Sequence, residues 1–126
     1  MTPMTQMRHL REGDGWRVGW DGSAHPFCGL LGGQGWAIEL TAEEFQDFRR
    51  LSLQLADAMQ QMAAELMDEE RIACEAESDR LWLEAEGYPQ AYELALMLQD
   101  GRRAEGRWPA SVVPHLMHAM QTLDLF

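Results

Sequence analysis

Trp36-Ala-Ile-Glu-Leu40 alternates apolar with other residues and runs straight into Thr41-Ala-Glu-Glu44 and a long helical pattern. Ala104-Glu-Gly-Arg-Trp108 does the same before Pro109-Ala-Ser-Val112 and a shorter helical pattern. Alternation marks a half-buried strand, and an apolar residue at every third or fourth position marks a helix with one buried stripe. Each half of the chain therefore reads as several strands followed by one helix. Each helix needs a sheet face to cover, so the expected fold class is α+β: a curved antiparallel sheet with two helices in strands–helix–strands–helix order.

Outward from the first stretch, Trp16-Arg-Val-Gly-Trp20 reads as a strand and Asp21-Gly-Ser-Ala-His-Pro26 as turn chemistry. Phe27 to Leu31 reads as a second strand, ended by Gly32-Gly33-Gln34-Gly35. Trp36, Ile38 and Leu40 share one face of the third. Thr41 and Glu44 form a capping box. Phe45, Phe48, Ser52, Leu55, Met59, Met62 and Leu66 make the helical stripe. Residues 1–12 are expected to be a flexible N-terminal tail, and 13–126 a single α+β domain.

In the second half, Arg71–Glu77 and Arg80–Glu86 read as a hairpin joined at Ser78-Asp79. The expected register sets Ile72 on Ala85, Cys74 on Leu83 and Ala76 on Leu81, with Arg71 on Glu86 and Glu77 on Arg80 as charge pairs outside. It also sets Glu84 opposite Glu93. Tyr92, Leu94, Leu96 and Leu98 continue the inner face. A three-residue loop with Gly101 relieving a bulge places Ala104, Gly106 and Trp108 opposite those leucines. The final helix begins near Pro109 or Ser111, and Pro114 is awkward for it; Val113, Leu116, Met117, Met120 and Leu123 form its stripe.

The 126 residues carry 21 acidic and 10 basic side chains, all of the latter arginine, for a net charge of −11. Such a field repels phosphate backbones and favours basic partners or simple solubility. No apolar run approaches the ~20 residues that span a bilayer, so no membrane contact is expected. The first twelve residues lack the apolar block of a signal peptide, which points to the cytoplasm. Cys28 and Cys74 read as buried free thiols rather than a disulfide.

No set of residues carries a reaction. His25 with Cys28, and His115 with His118, supply too few ligands for zinc. Glutamates on the open sheet face could meet a hard cation, but the loop spacing of a dedicated site is missing. Gly29-Leu-Leu-Gly-Gly-Gln-Gly35 lacks the Lys-Ser/Thr ending of a phosphate loop and leads into a strand. No nucleophile–base–orienter set is present. The expectation is no enzyme, no metal and no cofactor.

Gly15-Trp-Arg-Val-Gly-Trp-Asp21, Trp36-Ala-Ile-Glu-Leu-Thr41, Glu65-Leu-Met-Asp-Glu-Glu70, Ile72-Ala-Cys-Glu-Ala-Glu-Ser78 and Gly101-Arg-Arg-Ala-Glu-Gly-Arg-Trp-Pro109 resemble a small cyanobacterial family of unknown function. That family is similar in fold to the Whirly proteins and to a eukaryotic transcriptional coactivator that binds single-stranded DNA. The resemblance implies a curved antiparallel sheet backed by helices, and a sheet surface that binds single-stranded nucleic acid.

The residues themselves favour another use of that sheet. Helices over one face leave Trp82, Glu75, Glu77, Glu84, Glu86 and Glu93 on the other, with Glu39 beside them. Trp is enriched at binding hot spots, and an exposed one suits a protein partner or a second copy of the chain. The expected function is a non-catalytic acidic binding or regulatory protein that engages a protein partner or itself. The alternative is a regulator that binds single-stranded DNA or RNA through Arg102, Arg103 and Arg107, clustered on an edge strand; the net charge disfavours it.

Overall fold

The computed structural model describes residues 8–65 and 70–123. Along the chain run β1 (Arg8–Gly13), β2 (Trp16–Asp21), β3 (Gly29–Gly33), β4 (Trp36–Leu40) and α1 (Ala42–Glu65). Then come β5 (Ile72–Glu77), β6 (Leu81–Tyr88), β7 (Ala91–Leu98), β8 (Glu105–Trp108) and α2 (Val113–Thr122). The α+β class and the element order are as the sequence reads. The strands do not form one sheet, however: β1–β4 make one antiparallel meander, sheet A, and β5–β8 make another, sheet B.

Residues 8–12, expected within a flexible tail, instead form most of β1. Its register sets Gly13 on Trp16 and Arg11 on Val18. Residues 1–7 and Leu66, the last position of the expected helical stripe, lie outside the described residues. β3 starts at Gly29 rather than Phe27 and runs on through Gly33. Two tryptophan rings allow that extension. An added Cβ at Gly33 would lie 2.5 Å from Trp36 Nε1, and one at Gly13 would lie 2.4 Å from Trp16 Nε1. Each ring packs against the glycine of the neighbouring strand, supplying the contact that the glycine lacks. Both glycines open a Gly-x-Gly-Trp hairpin, whose second glycine takes the positive φ that the turn needs (Gly15, +82°; Gly35, +80°).

α1 starts as its capping box dictates. Glu44 N–H donates to Thr41 Oγ1 at 3.2 Å, and Thr41 N–H donates to Glu44 Oε1 at 2.9 Å. The helix buries Phe45, Phe48, Leu51, Ser52, Leu55 and Met59. α2 begins at Val113 after a turn in which the amides of Val112 and Val113 donate to Pro109 O. Pro114 therefore falls in the first turn, where its missing N–H has no helical partner to lose. At the far end of α2, Arg49 of α1 donates to the carbonyls of Met120 and Leu123 at 3.2 Å each. A cation at that position answers both the open carbonyls and the helix dipole.

The core between these layers holds Val18, Leu31, Ile38 and Leu40 from sheet A. Sheet B contributes Leu81, Leu83, Ala85, Leu94, Leu96, Leu98 and Trp108. Where the sheets approach, Trp108 packs on Trp36 with ring centroids 4.9 Å apart and on Phe48 at 5.7 Å. The ring of Trp36 also covers Gly106 of β8, where an added Cβ would meet it at 2.4 Å.

Candidate functional site

The hairpin β5–β6 sets the geometry of the acidic face. Its register is Cys74 on Ala85, Ala76 on Leu83, Glu75 on Glu84 and Glu77 on Trp82. This is two residues from the expected register, so every side chain keeps its expected face while every partner changes. The cause is Ser78. Its hydroxyl accepts from the amides of Arg80 (3.1 Å) and Leu81 (3.3 Å), and its own amide donates to Leu81 O. These bonds put Asp79-Arg80 at the tip, where the expected Glu77–Arg80 pair has no place. Arg80 donates instead to Asp47 of α1 at 3.3 Å, and the Ser78 hydroxyl donates to the same carboxylate at 2.6 Å. The Arg71–Glu86 pair is also absent from the register; Ala73 faces Glu86, and Arg71 lies over the Tyr88 ring at 6.0 Å.

With the helices on one side, the other side of sheet B carries the residues expected there. One row across the strands reads Glu75, Glu84, Ala95 and Arg107, the next reads Glu77, Trp82, Met97 and Glu105, and a third reads Ala73, Glu86 and Glu93. The structure thus brings Trp82, Glu75, Glu77, Glu84, Glu86 and Glu93 onto one continuous face. Glu84 does not face Glu93, as expected; Glu93 lies opposite Glu86, and Glu84 opposite Glu75 and Ala95. Glu39 belongs to sheet A and is not on this face. Trp82 is half-buried rather than fully exposed, and its indole N–H donates to Glu75 Oε1 at 2.7 Å. Beside it, Trp82, Ala95, Met97, Glu105 and Arg107 line a groove of about 200 Å³.

The arginines of the nucleic-acid alternative are dispersed by the fold. Only Arg107 is on the edge strand β8, and it pairs with Glu93 at 2.9 Å. Arg102 and Arg103 lie in the β7–β8 loop. Arg102 joins three elements, with bonds to Glu44 Oε1 at 2.6 Å, to Asp100 Oδ2 at 2.8 Å and to the Glu39 carbonyl at 2.9 Å. The Glu44 carboxylate, then Asp100, raises the Arg102 pKa against an opposing effect of burial. Slight burial works to raise the Asp100 pKa, but bonds from the Arg102 amide and guanidinium outweigh it and lower the value. Arg103 carries the left-handed turn of the loop, at φ +51°, where the expectation placed the strain relief at Gly101. The register beyond that loop is as expected, with Leu96 on Gly106 and Leu94 on Trp108.

Two acidic residues were not singled out from the sequence: Glu44, beyond its cap role, and Asp47. Both are buried, and both tie α1 to the loops of sheet B. Burial alone would raise the Asp47 pKa, but hydrogen bonds from Ser78, Arg80 and Arg50 lower it below the usual carboxylate range. Their spacing held the clue: Glu44, Asp47, Leu51 and Leu55 recur at helical intervals inside the buried sector. Among the described residues, no group of three His, Cys, Asp or Glu side chains is placed to hold a metal ion. No described helix is long and apolar enough to cross a membrane.

Residues 11–123 match the family described as a domain of unknown function, DUF1818. The chain belongs to the DUF1818 family. The matched span starts within β1 and ends just after α2, so it takes in both sheets, the acidic face and the β7–β8 loop. The chain is also similar to a solved structure of a protein of unknown function, assigned to a DUF155 family, from Prochlorococcus sp. NATL2A. Identity is 31%, the alignment covers 90% of this chain and 97% of that one, and the TM-score is 0.85. That similar protein comes from a cyanobacterium. No curated protein matches this DUF1818 chain.

Proposed function

We propose that this DUF1818 protein is a non-catalytic binding protein that receives a basic segment of a partner protein on the outer face of sheet B. The observation that carries this reading is the pairing of like charges directly across strands, Glu75 on Glu84 and Glu86 on Glu93. Such pairs destabilise a sheet, typically by ~0.2–1 kcal/mol each, and Arg107 is bonded to only one of these four carboxylates. A cationic partner turns that repulsion into attraction. Trp82 and its groove add an amphipathic anchor at the margin of the charged rows. Free Cys28 and Cys74 suit a reducing compartment, in keeping with a cytoplasmic site of action.

The test is affinity capture with the full chain, followed by titration of the captured protein against wild type, Trp82→Ala and Glu84→Arg. The expected result is salt-sensitive binding that falls at least tenfold in both variants. Binding that is unchanged in both variants removes this face from the function.

A second reading is single-stranded nucleic-acid binding in the manner of the Whirly proteins. The four-strands-then-helix order, met twice along the chain, supports it. The engagement of Arg102 and Arg107 by carboxylates weighs against it. Fluorescence anisotropy with labelled single-stranded DNA and RNA at low and physiological salt separates the readings, since phosphate contacts weaken steeply as salt rises.

A further inference from the structure

Edge strands invite pairing with another chain unless something guards them, and the edges of this protein are treated unequally. β4 and β8 abut each other where Trp36 covers Gly106 and Trp108 donates to Gly32 O at 2.9 Å. β5 carries Glu75 and Glu77 beside Glu84 of β6, so a second such edge would add like charge to like charge. β1 has neither protection. It pairs with β2 on one side and with no described strand on the other, and His9 through Gly13 are exposed. In its middle stands Leu10, 59% exposed, the most exposed large apolar side chain among the described residues. Leu10 borders an apolar hollow of about 330 Å³ on the outer face of sheet A, lined also by Gly19, Phe27 and Leu30.

The sequence of β1 is complementary to itself. Antiparallel pairing of two β1 strands about Leu10 sets Leu10 on Leu10, Arg8 on Glu12 and Glu12 on Arg8. Arg8, Leu10 and Glu12 occupy alternate positions, so this register puts Leu10 at the centre of one face, two positions from Glu12, whose carboxylate is bonded to Arg17 of its own β2 at 3.1 Å. On the other face His9 falls opposite Arg11, whose guanidinium is already bonded to the Thr122 hydroxyl of its own α2. Like faces stay aligned because the register joins residues of the same parity. The contact closes on a two-fold axis, so it ends at two copies.

We infer that a second copy of this chain pairs antiparallel with β1 about Leu10, joining two copies of sheet A into one continuous sheet. The interface is small, so the dimer is weak and depends on concentration. It lies on the sheet opposite to the one proposed for the basic partner, and the two surfaces are separable by mutation.

The test combines sedimentation velocity of the full chain with cysteine crosslinking. Wild type is expected to move from 14.4 kDa towards twice that mass as its concentration rises through the micromolar range. Leu10→Lys sets two cations on the axis and is expected to hold the chain monomeric, with an unchanged circular dichroism spectrum because the site is exposed. Under diamide, Leu10→Cys is expected to form a 10–10 disulfide identified by mass spectrometry, since paired Cα atoms lie about 4.5–5.5 Å apart. Glu12→Cys is expected not to form one, since its two copies lie roughly 13 Å apart along the strands. A wild type that stays monomeric to several hundred micromolar overturns the proposal. So does a dimer indifferent to Leu10→Lys, or crosslinking at residue 12 in place of residue 10. Trp82→Ala is expected to leave dimerisation untouched, which keeps a failure here distinct from a failure of the sheet B reading.

Discussion

The indole N–H of Trp108 donates to the backbone carbonyl of Gly32 at 2.9 Å, inside the core and between the two sheets. The last residue of β8 is thereby bonded to a carbonyl of β3, 76 positions earlier in the chain. Trp108→Phe keeps most of the ring and removes the donor. It is expected to destabilise the fold by ~0.5–1.5 kcal/mol, the net worth of one hydrogen bond, since Gly32 keeps its place opposite Arg17 in the β2–β3 ladder. Trp108→Ala, which also opens a cavity, is expected to cost about 3–5 kcal/mol. Urea unfolding followed by far-ultraviolet circular dichroism measures both.

Asp47 gives the protein an acid-sensitive link between α1 and the β5–β6 hairpin. Its pKa is lower in the fold than in the unfolded chain, so its contribution is complete above the unfolded value. It is lost as pH falls through the depressed folded value. The stability gap between wild type and Asp47→Asn is therefore expected to be constant from neutral pH to about pH 5 and to shrink below about pH 4. Denaturant melts across that range check it; a gap that widens on acidification contradicts the assignment.

The tryptophan–glycine contacts predict unequal effects of the same substitution. Gly106→Ala and Gly33→Ala drive a methyl group into the Trp36 ring, and each is expected to cost about 1–3 kcal/mol and to shift the tryptophan emission. Gly35→Ala meets open space and pays only for its positive φ, which is expected to cost about 1–2 kcal/mol. Thermal melts of the three variants side by side test the ranking.

On the acidic face, stability and binding are expected to move in opposite directions. Glu84→Gln removes the repulsion from Glu75, and a gain of ~0.2–1 kcal/mol is expected, with weaker binding of a basic partner. The stability gain should shrink in high salt, because exposed charges are screened beyond about 8–10 Å at physiological ionic strength. Melting temperature at two salt concentrations, set against the binding titration, measures both effects.

The sequence showed most of what local rules decide. Thr41 and Glu44 announced the start of α1, and the inner and outer sides of β5 to β8 followed from alternation. The face that gathers Trp82 and the glutamates was legible for the same reason, since side-chain parity survives a two-residue change of register. What stayed hidden depends on contacts between distant segments. The expected partner of Arg80 was wrong because its carboxylate is Asp47, 33 positions away, which also accepts from the Ser78 hydroxyl. Arg102 looked like a free cation because Glu44 is 58 residues distant. β1 escaped notice because Arg8–Gly13 holds a single large apolar residue, and its pairing relies on β2. The division into two sheets was also unreadable, because each half alternates in the same way whether or not the strands join.

The ring of Trp36 rests on Gly33 in its own sheet and on Gly106 in the other. The chain looks like a unit written twice, yet neither copy is self-sufficient: cut between the halves, one fragment keeps a tryptophan with half its bed gone and the other keeps a bare glycine. The apparent duplication describes how the chain is written, while the indivisible object is the pair, which should melt in one step and resist being shared out between separate polypeptides.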